Sequence, residues 1–128
     1  YENALGCVRV PPERRLSGPW LENVTGVPGA SIEGAHLRLP GFGENGPTLE
    51  IFQYSHNETR LPPAANREGF SHLAFEVDDV GQAMAEVLEK GGGRIGELTT
   101  TRVEGVGTLT VVYVSDPEGN IIELQSWT

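Results

Sequence analysis

Three residues in this sequence have the types and the settings to do chemistry together: Glu50, His72 and Glu123. Each interrupts a run of alternating apolar residues. In Ser71-His72-Leu73-Ala74-Phe75-Glu76-Val77, a strand would put Leu73, Phe75 and Val77 on one face and His72, Ala74 and Glu76 on the other. In Ile121-Ile122-Glu123-Leu124-Gln125-Ser126-Trp127, Ile122 and Leu124 take the apolar face, and Glu123 and Gln125 the opposite one. In Thr48-Leu49-Glu50-Ile51-Phe52-Gln53-Tyr54, Leu49 and Ile51 are apolar-side and Glu50 points away with Phe52. If the free faces curve together, two carboxylates and an imidazole meet in one cleft. Carboxylates brought together repel, and burying them unpaired is costly. A divalent cation resolves the conflict, and oxygen donors with an imidazole nitrogen suit Zn, Ni, Mn, Co or Fe.

Taken singly, each residue has a blander reading. A histidine in a strand is more often hydrogen-bonded or solvated than a ligand, and glutamates on exposed sheet faces are common. The conjunction is what raises them, because the glutamates occupy the same place in two similar strands. His36 and Arg38 alternate against Ala35, Leu37 and Leu39. Arg38 suits an anionic group of a substrate, but the solvated reading is the commoner one for both. Phe52, beside Glu50, is a candidate wall of the pocket. Trp20, Tyr113 and Trp127 read as packing or interface residues.

The elements that must position these residues follow from periodicity and punctuation. Strands are expected at Cys7–Val10, Ala30–Leu39, Thr48–Tyr54, Phe70–Val77, Arg94–Arg102, Thr108–Val114 and Ile121–Trp127. Asp79–Lys90 is the best helix. Asp79 is its N-cap with Gln82 three residues on, Val80, Met84, Val87 and Leu88 make an apolar face, and Gly91 ends it. Asp116-Pro117-Glu118-Gly119 is a hairpin turn. Tyr1-Glu2-Asn3-Ala4-Leu5-Gly6 looks like the last turn of a helix stopped by glycine, so a first strand and most of a first helix are expected upstream. With those restored, the chain is two copies of one unit. Residues 1–54 form an incomplete first copy, 55–69 a polar linker with Pro62-Pro63, and 70–128 the second copy, together a single domain.

Composition narrows the function. The 128 residues fit one domain, and the formal net charge of -9 leaves no basic face for nucleic acid. No apolar run is long enough to span a bilayer. The single cysteine, Cys7, cannot close an internal disulfide, which suits a reducing compartment, and a cytoplasmic location is expected. A small molecule or another protein is the expected partner.

At these residues the sequence resembles the vicinal oxygen chelate superfamily, which includes the glyoxalases, bleomycin resistance proteins and extradiol dioxygenases. The resemblance is carried by Gly69-Phe70-Ser71-His72-Leu73-Ala74-Phe75-Glu76-Val77-Asp78-Asp79, by Gly91-Gly92 after the helix, and by Asp116-Pro117-Glu118-Gly119-Asn120-Ile121-Ile122-Glu123-Leu124. It implies an α+β fold of two βαβββ modules, with Glu50, His72 and Glu123 as ligands of a divalent metal in a central cleft. The fourth ligand of the pattern, on the missing strand, would fall about a dozen residues upstream of Tyr1. The resemblance further implies a lyase or isomerase of the lactoylglutathione lyase type, which stabilises an enolate or enediolate during proton transfer. Glu123 is then the base and Glu50 a ligand and second base. Gln125 stands close behind them, and a homodimer is expected. Two other readings stay open: a metal-free small-molecule binder of the bleomycin-resistance type, and an Fe(II) extradiol dioxygenase.

Overall fold

The computed structural model describes residues 1–59 and 61–128. The fold is α+β, with strands predominating, and the chain divides into two compact units, Tyr1–Arg60 and Leu61–Thr128. No helix among the described residues is long and apolar enough to cross a membrane.

In the first unit, α1 (Glu2–Leu5) ends at Gly6, whose φ of 65° is the left-handed conformation expected of a helix stop. Then come β1 (Val8–Ser17), α2 (Pro19–Thr25), β2 (Ser31–Arg38) and β3 (Thr48–Tyr54), with the strands in antiparallel order β1-β2-β3. β3 has the expected bounds. β1 runs well beyond Cys7–Val10, through Pro11 and Pro12. It does so because it is an edge strand, and the prolines sit at a register shift between Val10 and Arg14 where the ladder needs no donor. The sequence reading missed α2. Proline at its first position and Gly26 at its end, with φ 69°, bracket it. Tertiary packing decides it: Leu21 is buried with Ala30 and Ile32, and Leu16, Phe52 and Tyr54 pack around them.

In the second unit, β4 (His72–Glu76) is followed by α3 (Val80–Glu89), β5 (Gly93–Arg94), β6 (Thr99–Val103), β7 (Gly107–Ser115) and β8 (Ile121–Trp127). The sheet order is β4-β8-β7-β5, with β6 also pairing with β7. β4 and β8 are parallel and the remaining pairs antiparallel. The stretch expected as one strand, Arg94–Arg102, is two short strands on β7. Asp79 caps α3 by accepting from the Gln82 N–H at 2.9 Å, but the Gln82 side chain goes forward to Glu86 at 3.0 Å, so the capping box is half built. α3 packs on β7 and β8 and buries Val80, Ala83 and Val87. The core beneath includes Phe75, Val112, Val114, Ile122 and Leu124, of which Val114 and Leu124 have no exposed surface (0%). The turn before β8 is held by the Asp116 carboxylate, which accepts from the backbone N–H groups of Glu118 and Asn120 at 3.0 and 2.7 Å.

Candidate functional site

Glu123 is placed by its neighbours. Burial of Ile122 and Leu124 on the helix side of β8 turns Glu123 to the opposite face. The parallel ladder aligns Ala74 with Glu123 and His72 with Ile121, which brings His72 beside that carboxylate. His72 Nε2 lies 3.0 Å from Glu123 Oε2, with side chains 29% and 15% exposed. Tyr113 stands directly across the β7–β8 ladder from Glu123. Its phenol oxygen is 3.4 Å from His72 Nε2, and the two rings lie 4.9 Å apart. Burial, and then the Glu123 carboxylate, push the Tyr113 phenol above its ordinary pKa. It therefore keeps its hydrogen and has it to donate to Glu123. On the other side of the imidazole, His72 Nδ1 is 2.7 Å from Ser71 Oγ.

The first unit builds a related pair. His36 lies directly across the β2–β3 ladder from Glu50, and its Nε2 is 3.3 Å from Glu50 Oε1. Phe52 packs against the Leu21 cluster and meets the His36 ring edge-on at 5.8 Å. Arg38 donates to the Glu44 carbonyl at 3.3 Å. Gln125, in the second unit, accepts from Trp127 Nε1 at 3.2 Å. Each last-strand glutamate thus faces a polar ring across its hairpin, His36 in one unit and Tyr113 in the other. Alternation within one strand leaves His36 open between the cleft and solvent, and reads Tyr113 as a packing or interface residue. The signal was there in the register: Tyr113 and Glu123 flank the Asp116–Gly119 turn in a continuous ladder.

Both pairs stand at hydrogen-bond separations, which two donors of one divalent ion also share. Bonds of about 2.1 Å at right angles put two donors about 3.0 Å apart, and a tetrahedral angle puts them about 3.4 Å apart. The His72–Glu123 and His36–Glu50 distances, 3.0 and 3.3 Å, fall at these values. Among the described residues, no group of three or more His, Cys, Asp or Glu side chains gathers as a metal site. Each unit offers one nitrogen and one oxygen donor.

A sequence model described as the Glyoxalase/Bleomycin resistance protein/Dioxygenase superfamily matches residues 9–124. Among solved structures, the chain is similar to a glyoxalase family protein from Bacillus cereus, at 19% identity and a TM-score of 0.76, covering 98% of this chain and 85% of that one. It is also similar to a glyoxylase/bleomycin resistance protein/dioxygenase domain from Frankia sp. EAN1pec, at 18% identity and a TM-score of 0.57, covering 100% and 84% of the two chains. Identities this low carry the fold alone. No curated protein matches the chain.

Proposed function

Because this chain belongs to the Glyoxalase/Bleomycin resistance protein/Dioxygenase superfamily, we propose that it is a divalent-metal enzyme that moves a proton on the carbon next to a carbonyl of a small oxygenated substrate. The chemistry is that of a lyase or isomerase. The observation that carries this reading is the approach of His72 Nε2 to Glu123 Oε2 at 3.0 Å, between side chains that are mostly shielded from water. His72 Nε2 and Glu123 Oε2 would hold a divalent ion, which would supply a Lewis acid for a substrate oxygen. Glu123, whose side chain is 15% exposed, is the base that takes the proton. The Tyr113 phenol stands across the ladder from that carboxylate. Partial burial strengthens each of these interactions by excluding water.

Metal content and proton exchange test the reading together. Wild-type protein loaded with Zn or Ni and dialysed is expected to retain metal, and H72A and E123Q to lose it. E123Q is expected to lower the exchange of a substrate's carbon-bound proton with deuterated solvent by about a hundredfold or more, the usual weight of a general base. Retention of metal by both variants would overturn the assignment. E50Q belongs in the same series, because Glu50 holds the matching place in the first unit, and loss of metal from it would give Glu50 a ligand's role.

A second reading has its own support. The His72–Glu123 contact is a satisfied hydrogen bond without any ion, as a metal-free binder would have. A purified protein that holds no metal and binds small ligands equally well after chelation would favour it. Oxygen uptake with catechols and Fe(II) would instead select the dioxygenase reading.

A further inference from the structure

We propose that Ser71 is a positioning residue that sets which ring nitrogen of His72 carries the hydrogen, and so frees the Nε2 lone pair for a divalent cation. The proposal rests on the reading of His72 as a ligand. A neutral imidazole has one hydrogen and one lone pair on its two nitrogens. Nε2 faces Glu123 Oε2 at 3.0 Å and the Tyr113 oxygen at 3.4 Å, while Nδ1 faces only Ser71 Oγ, at 2.7 Å, among its recorded contacts. A carboxylate accepts and does not donate. In the metal-free protein, therefore, Nε2 carries the hydrogen toward Glu123, and Nδ1 accepts from the Ser71 hydroxyl.

A cation at Nε2 needs the lone pair there, so the hydrogen must move to Nδ1. A half-buried N–H then requires an acceptor, and Ser71 Oγ is already within hydrogen-bond distance. The hydroxyl turns from donor to acceptor by rotating its own hydrogen. The ring neither gains nor loses a proton overall. A backbone carbonyl at the same place could serve only the second state, because it cannot donate. A hydroxyl serves both. Tyr113 complements this from the other side: its hydrogen remains available to Glu123 when His72 no longer donates there.

The test uses the 15N-labelled full chain, long-range proton–nitrogen spectra of the His72 ring, and titration with Zn, which is diamagnetic. In the wild type, the metal-free ring is expected to show hydrogen on Nε2, and Zn to shift Nε2 strongly while moving the hydrogen to Nδ1. S71A is expected to keep the metal-free pattern but to bind Zn about tenfold to a hundredfold more weakly, the usual cost of removing a partner of a ligating histidine. S71T, which restores the hydroxyl, is expected to recover most of that affinity. An unchanged amide spectrum elsewhere shows that each variant is folded. If Zn leaves the His72 nitrogens unmoved in the wild type, the ligand reading fails and this proposal with it. If Zn binds through Nε2 but S71A binds it as tightly as the wild type, or S71T restores nothing, the part given to Ser71 is overturned and the ligand reading stands.

Discussion

At the scale of single residues, the two imidazole–carboxylate pairs have different support. His72 and Glu123 have ring and hydroxyl neighbours on both sides of the imidazole, whereas Glu50 is more than half exposed, at 57%, beside His36. Tyr113 gives the first pair a measurable signature. Its pKa in the folded protein is raised, so the stability it contributes is present below the unfolded value, near pH 10, and is lost as pH rises through the folded one. Urea melts are expected to show the wild type losing stability above about pH 10 in a way Y113F does not. Cys7 makes a second test. It is buried, and burial pushes its thiol up, so a thiol reagent at pH 8 should leave the native protein unlabelled and label it fully in denaturant. Glu50, His72 and Glu123 were legible in the sequence because each breaks an alternating apolar run. Ser71, His36 and Tyr113 were not, since their roles depend on which residue stands opposite or alongside, and alternation within one strand does not carry that.

At the scale of elements, local signals sufficed where they agreed with packing. β3 and β8 stand where alternation put them, and α3 lies within one residue of Asp79–Lys90 at each end. D79A removes the cap of α3 and is expected to cost about 1 kcal/mol, read as a lower urea midpoint with unchanged slope. The elements that were missed or misdrawn have particular causes. α2 is one short stretch whose helicity rests on burying Leu21. β1 continues past a proline pair because an edge tolerates the lost donor. β5 and β6 are separate because the Ile95 and Gly96 N–H groups both donate to the Tyr113 carbonyl, at 3.2 and 3.0 Å, which breaks the register on β7 between Arg94 and Thr99. Gly34 marks a constraint no pattern shows. A side chain there would stand 2.0 Å from the Ile51 carbonyl oxygen and 2.6 Å from the Phe52 ring, where β3 comes close. G34A is expected to destabilise by about 1–3 kcal/mol, as overpacking does, and to disturb the Phe52–His36 contact.

At the scale of the whole molecule, the acidic balance and the repeated unit were both readable. The repeat survives in the structure as two sheets whose last strands each carry a glutamate in third position with a ring opposite. The charge of -9 predicts retention on an anion exchanger and no retention on immobilised DNA at physiological salt. The second unit depends on a shared core, and L124A, at a side chain with no exposed surface (0%), is expected to cost about 2–5 kcal/mol. The parallel pairing of β4 with β8 has its own bearing on how that unit matures. Those strands stand at opposite ends of its polypeptide, with a helix and three strands threaded between them. Closing them is the longest-range step in the unit and carries the greatest entropic delay. The imidazole–carboxylate contact is thus a seal set upon completion: it needs β8 in place beside β4, and a nascent chain still short of β8 lacks it.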